Sequence, residues 1–236
     1  MAYILNIETA TKVCSVALAR DGESIAVREH FGAYAHAEKL TVFVEEVLKE
    51  AKLSFSDLSA VAVSKGPGSY TGLRIGVSAA KGFAFTLEIP LLAVSTLEGM
   101  TLNAIEKIKQ SHPELNPATI LFCPMIDARR MEVYCAVYDA ELQQILPVAA
   151  EIITESSFED ILKNHQLCFF GDGAQKCEEA LGNNPNAVFL KDVDPSANAM
   201  IPLAYKLYQK QKFEDVAYFE PYYLKEFLAT VPKNKI

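Results

Sequence analysis

Two successive halves of this chain read as the same order of elements: strand, strand, strand, helix, strand, helix, strand. In the first half Tyr3–Glu8, Lys12–Arg20 and Ser24–Phe31 are β-rich runs, with Asp21-Gly22 as a hairpin turn. Leu40, Phe43, Val44, Val47, Leu48 and Ala51 then recur at helical spacing, which predicts an amphipathic helix over Ala35–Ala51. The continuous apolar run Leu58–Ser64 reads as a strand buried on both faces. A glycine loop follows, then a helix over Leu73–Leu87, a strand over Pro90–Val94, and a helix capped by Ser95 or Thr96 that runs to Gln110.

His112-Pro113-Glu114-Leu115-Asn116-Pro117 reads as a linker, after which the order returns. Thr119–Ile126, Glu132–Tyr138 and Ile145–Ile153 are strands, and Phe158–Leu162 is a helix. The strand Leu167–Phe170, the turn Gly171-Asp172-Gly173, the helix Ala174–Leu181, the strand Val188–Leu190 and the helix Pro195–Gln211 complete it. A glycine turn follows the fourth strand each time. The halves share this pattern and almost no sequence. The expectation is an α/β chain of two lobes, residues 1–111 and 112–236, each a mixed sheet covered by helices. The aromatic segment Phe213–Phe227 around Pro221 is expected to tack back onto the core, on the first lobe.

The chain is half hydrophobic and 22% charged over 236 residues, a globular composition that excludes disorder for its bulk. Thirty acidic residues against 22 basic ones leave a net charge of −8, with no basic stripe. Such a chain is not expected to hold nucleic acid unaided, because phosphate contacts dominate that affinity. Mean hydropathy of +0.12 is slightly high, a hint of apolar surface kept for a partner. The longest apolar stretch, Gly82 to Val94, contains Glu88 and Pro90 and is too short for a membrane span. The first residues lack the basic and apolar regions of a signal peptide, and five scattered cysteines form no CxxC. These features predict a cytoplasmic protein with reduced thiols.

The loop Ser64-Lys65-Gly66-Pro67-Gly68-Ser69-Tyr70-Thr71-Gly72-Leu73-Arg74-Ile75-Gly76 joins a buried strand to a helix N-terminus, a place that favours anions. Its spacing is GxGxxxG, not GxGxxG, and no GK[ST] follows. A tight turn that lets the helix lie close to the sheet and a phosphate cradle are the two readings. The histidines form no i, i+4 pair, His36 being followed by Leu40, and no serine lies in a GxSxG elbow. Glu8 and Asp127 end corresponding strands of the two halves, where an interlobe cleft would bind a ligand, though as bare sequence each reads first as a turn or cap residue and only second as a catalyst. The helix after the loop carries only Arg74 and Lys81 as charges and is apolar nearly all round, so it is buried nearly all round. It lies either inside one protomer or at a subunit interface.

The segment Gly66-Pro67-Gly68-Ser69-Tyr70-Thr71-Gly72-Leu73-Arg74-Ile75-Gly76 closely resembles the GPGS[FY]TGLRIG signature of the bacterial TsaB (YeaZ-like) family. Lys12–Leu18, Ile126-Asp127-Ala128-Arg129 with Glu132-Val133-Tyr134, and Pro221-Tyr222-Tyr223-Leu224 support the match along the chain. The resemblance implies an actin/Hsp70/sugar-kinase-like fold of two ribonuclease-H-like lobes. It also implies a non-catalytic subunit of the tRNA threonylcarbamoyladenosine transferase complex. Its partners would be a TsaD-like catalytic subunit, a TsaE-like ATPase subunit, tRNA only through the complex, and a second copy of the chain when alone. The alternative is a self-sufficient nucleotide-dependent phosphotransferase or metallopeptidase of the same superfold.

The metal-binding histidine pair of the catalytic relative is missing, and the turns Glu8-Thr9-Ala10-Thr11 and Asp127-Ala128-Arg129 lack a phosphate-binding glycine. No cofactor of its own is expected, with ATP held only weakly or in the complex; Glu8, Asp127, Gly171 and Gly173 are the candidate residues. Docking is expected through Leu40, Phe43, Val44 and Val47 of the amphipathic helix. The helix after the loop would add Leu73, Gly76, Val77, Ala79, Ala80 and Phe83.

Overall fold

Along the first strand, β1 (Tyr3–Glu8), side chains alternate between two buried faces, and this alternation sets the layers. Leu5 and Ile7 join Val16, Leu18, Val61 and Val63 on one face, while Ile4, Ala60, Ala62, Leu92 and Val94 share the other. The computed structural model describes residues 1–32 and 36–225. β1, β2 (Val13–Arg20), β3 (Glu23–Phe31), β4 (Ala60–Ser64) and β5 (Leu91–Val94) form a sheet of order β3-β2-β1-β4-β5. β1, β2 and β3 pair antiparallel, whereas β4 and β5 join parallel. β6 (Ile120–Asp127), β7 (Glu132–Tyr138), β8 (Gln144–Ile152), β9 (Gln166–Phe170) and β10 (Ala187–Leu190) form a second sheet, β10-β9-β6-β7-β8. Read from β8, that is the same order, with the same mixture of parallel and antiparallel pairs.

Helices α1 (His36–Ala51) and α2 (Tyr70–Leu87) cover the Leu5 face of the first sheet. α3 (Thr96–Ser111) follows β5 but packs on the second sheet, with Leu97, Met100, Ala104 and Ile108 against Ile120, Phe122 and Tyr138. Two single-turn helices, α4 (Glu159–Leu162) and α5 (Glu178–Leu181), cover the other face of that sheet. α6 (Ala197–Gln209) returns to the first sheet, where Ala17, Ala19, Ala60 and Ala62 present a small-residue floor to Ala197, Met200, Ile201 and Ala204. The sheets divide near residue 111, but the two long third helices are exchanged across that division.

Most expected elements form within a residue or two of their expected ends. α1 begins at His36, and Ala35 lies outside the described residues. α2 begins at Tyr70 instead of Leu73 because Ser69 caps it, its hydroxyl accepting from the Gly72 N–H at 3.3 Å. The expected helix Ala174–Leu181 is a 3₁₀ turn, Gln175–Cys177, followed by α5. After α6 the chain runs as a strap over the first lobe. Glu214 bridges to Leu91 at the edge of β5, Val216 and Phe219 pack on the first core, and the Tyr222 N–H donates to the Lys65 carbonyl at 2.7 Å. Phe227 lies outside the described residues. All five cysteines are buried and free, and no helix among the described residues is long and apolar enough to cross a membrane.

Candidate functional site

The glycine loop lands on the turn between β1 and β2. The Ser69 N–H donates to the Ala10 carbonyl at 2.6 Å, and the Thr9 hydroxyl donates to the Gly72 carbonyl at 2.8 Å. A methyl group on Gly68 would run into Ala10, one on Gly72 into the Thr9 carbonyl, and one on Gly76 into the Thr9 hydroxyl. The donors a phosphate would need at Ser69, Gly72 and Leu73 are already engaged by Ala10 and Ser69. The geometry therefore favours the tight-turn reading of the loop over the cradle. Gly76→Ala will cost about 1–3 kcal/mol by wedging α2 off Thr9, a loss that chemical denaturation measures directly.

Glu8 is 1% exposed and is enclosed by this packed turn. Its Oε1 accepts from the Ala10 N–H at 2.6 Å and from the Ser64 hydroxyl at 2.8 Å. Burial raises its pKa to about 7 despite these bonds. As a cleft ligand Glu8 is therefore a correction: the short turn Thr9-Ala10 folds back over the strand end and seals it. His36 is likewise internal, its Nε2 lying 2.8 Å from the Thr11 carbonyl.

In the second lobe Asp127 is exposed at the end of β6 and forms an ion pair with Lys176. Burial pushes its pKa up, but the Lys176 ammonium and the Arg129 N–H at 2.9 Å outweigh it and hold the carboxyl below its ordinary value. The Asp127 N–H donates to the Asp172 carboxylate at 3.0 Å. Gly171, at φ +98°, and Gly173 flank Asp172 because a side chain at either would strike the end of β6. These glycines pack the turn in the way Gly68 and Gly72 pack the first. Among the described residues no three His, Cys, Asp or Glu side chains are grouped as a metal set.

The proposed docking residues divide sharply. Leu40, Phe43, Val44 and Val47 of α1, with Leu73, Gly76, Val77 and Ala80 of α2, are buried against their own sheet or its turns. They are corrections, because the most apolar arc of each helix is consumed by the protomer's core. Ala79 and Phe83 are half-buried, Phe83 stacking on Phe55 at 5.7 Å. The free arc of α2 is Thr71, Arg74, Ser78, Gly82, Phe85 and Thr86. Phe85 is 77% exposed, and a Cβ on Gly82 would meet nothing within 4 Å. Mid-helix glycine costs about 1 kcal/mol relative to alanine, and nothing inside this protomer requires Gly82. Counting apolar residues misses this arc; a single aromatic and a glycine without an internal reason are the signal that marks it.

A family model described as TsaD, tRNA N6-adenosine threonylcarbamoyltransferase, matches residues 30–231. The tRNA threonylcarbamoyladenosine biosynthesis protein TsaB of Escherichia coli is 34% identical over 96% of both chains. The solved structure of YeaZ from Pseudomonas aeruginosa superposes with a TM-score of 0.78 at 26% identity, over 95% of this chain and all of that one. The activator of 2-hydroxyisocaproyl-CoA dehydratase from Clostridium difficile, solved with bound ADPNP, shares the fold at a TM-score of 0.50 and 8% identity. That alignment covers 89% of this chain and 96% of the activator. The duplicated β3-β2-β1-β4-β5 sheet is thus the actin/Hsp70/sugar-kinase superfold, with two ribonuclease-H-like lobes. With that fold, the glycine-loop signature and the identity over nearly the whole length in agreement, the chain belongs to the TsaB family of tRNA threonylcarbamoyladenosine biosynthesis proteins.

Proposed function

We propose that this chain is a non-catalytic accessory subunit that docks through α2 onto a catalytic threonylcarbamoyltransferase. The docked enzyme transfers threonylcarbamate to the adenosine beside the tRNA anticodon. The observation that carries this reading is the free arc of α2, with Phe85 exposed and Gly82 open to close approach. The match to the transferase family model supports a partner built on a related lobe. Two such helical faces can pack against each other across a short interaxial distance when one offers a glycine. Glu8 sealed by its turn and Asp127 tied to Lys176 support the non-catalytic assignment over a phosphotransferase. His36 held against the Thr11 carbonyl, with Leu40 one turn on, favours the accessory reading over a metallopeptidase.

The remaining partners follow from the same reading. An ATPase subunit joins the assembly, tRNA is held only by the complex because this chain carries −8, and a second copy occupies the α2 face when the catalytic subunit is absent. ATP is held weakly or only in the complex, and the setting is the cytoplasm. Reconstitution tests the core of it. Threonylcarbamoyl transfer by the purified catalytic and ATPase subunits will require this chain. The chain alone will show neither transfer nor ATP turnover near the ~10 s⁻¹ typical of enzymes. Full transfer without the chain, or such turnover by it alone, contradicts the proposal.

A further inference from the structure

Arg74 lies in the helical part of the loop-and-helix motif, and neither the fold nor the docking helix as such accounts for it. It is one of two basic residues on α2. The other, Lys81, is engaged internally, its ammonium donating to the strap carbonyls of Ala217 and Phe219 at 3.1 and 2.9 Å. Arg74 is exposed, and no carboxylate among the described residues pairs with it. Its guanidinium is nevertheless held in place. It lies 5.4 Å from the centre of the Tyr70 ring and donates from Nη1 to the Tyr70 hydroxyl at 3.3 Å. The Tyr70 ring leans on Tyr223 at 4.9 Å, and the Tyr222 N–H anchors that part of the strap to Lys65.

Together Tyr70, Thr71, Arg74, Ile75 and Ser78 line an open dish of about 390 Å³ on the first turns of α2. A guanidinium offers five N–H donors in a planar fork, and stacking on an aromatic ring leaves its edge presented to a bidentate acceptor. The helix N-terminus beneath adds positive potential of the same sign. Hydroxyls of Thr71 and Ser78 stand beside it, and Ile75 supplies an apolar floor. On a chain of net charge −8, this is a fixed positive point near the N-terminal end of an otherwise uncharged helical face. Arginine and tyrosine in such dishes are the residue types that dominate interface energetics.

We infer that Arg74 keys the docking face, and that the catalytic partner places an Asp or Glu side chain in this dish. The inference rests on the docking reading above and adds the chemistry of the group received. It is tested by calorimetric titration of the catalytic subunit with full-length wild type, Arg74→Gln, Arg74→Lys and Ser78→Glu, at two salt concentrations. A charge-assisted bond of the usual strength predicts that Arg74→Gln weakens binding about 10- to 100-fold and flattens its salt dependence. Arg74→Lys will recover only part of the loss, since it keeps the charge without the stacked fork. Arg74→Gln binding like wild type, while Ser78→Glu does not bind, overturns the inference and leaves the docking reading intact. Normal binding by Ser78→Glu as well overturns both. If Arg74→Gln alters self-association in sedimentation but not partner binding, the dish serves a second copy and the inference falls.

Discussion

Ser78→Glu and Phe85→Asp will fold like wild type and lose the catalytic subunit, whereas Val77→Glu and Ala80→Glu will fail to fold. Ser78 and Phe85 lie on the free arc of α2, so water solvates the new carboxylate in the isolated protomer. Once a partner covers that arc, the Phe85→Asp charge is desolvated without a counter-ion, while the Ser78→Glu carboxylate, one turn from Arg74, takes up the guanidinium offered to the partner. The several kcal/mol this costs correspond to a loss of about a hundredfold or more in affinity. Val77 and Ala80 sit in the core cluster with Val61, Val63 and Leu5. An unpaired carboxylate there competes with the whole stability of an ordinary domain, about 5–15 kcal/mol. Circular dichroism separates the two outcomes before any binding is measured.

Gly82 sharpens the same test because its two effects have opposite signs. Gly82→Leu has open space in the protomer and will stabilise α2 by about 1 kcal/mol through helix propensity. The same side chain will weaken partner binding if the helices approach at that glycine. A variant more stable than wild type and defective only in association cannot be explained by misfolding. Normal association by Gly82→Leu, Ser78→Glu and Phe85→Asp together removes α2 as the docking element.

The succession of elements along the chain was legible because apolar runs bounded by turn residues report strands locally, and the two halves repeat them. Local pattern says that a helix has an apolar face and does not say which sheet meets it. This is why the exchange of α3 and α6 between the lobes is visible only in the fold, from contacts such as Met100 against the second sheet and Met200 against the first. The motif Gly66–Gly76 identified the family, yet the reasons for Gly68, Gly72 and Gly76 lie at Thr9 and Ala10, about sixty residues earlier in the chain. Most of the residues expected at the docking face fall in the protomer's own core for a related reason. Val77 and Ala80 are the obvious apolar residues of α2, but a helix gives its most apolar arc to its own core. The role of Lys81 is invisible to local pattern, since its acceptors are strap carbonyls more than a hundred residues away in sequence.

Glu8 supplies the second large effect, in the pH dependence of stability. In the unfolded chain this carboxyl titrates at its ordinary value of 4.5, while in the fold burial raises it to about 7. Between those values the native state holds a proton that the unfolded state has released. Stability from this group is therefore fully present below pH 4.5 and is lost as pH rises through 7. The full swing is about 3 kcal/mol, at roughly 1.4 kcal/mol per unit. Glu8→Gln removes the titrating proton, and its amide oxygen can still accept from Ala10 and Ser64. The difference in unfolding free energy between Glu8→Gln and wild type will accordingly grow in favour of the variant from pH 5.5 to 8.5. All other titrating groups are common to both chains, so they cancel in that difference. Urea denaturation across the range measures it, and parallel curves for the two proteins show that Glu8 is ionised throughout in the fold. Because the Thr9-Ala10 turn that Glu8 braces also seats the N-terminus of α2, partner affinity is expected to decline over the same alkaline range in wild type. It will stay level in Glu8→Gln.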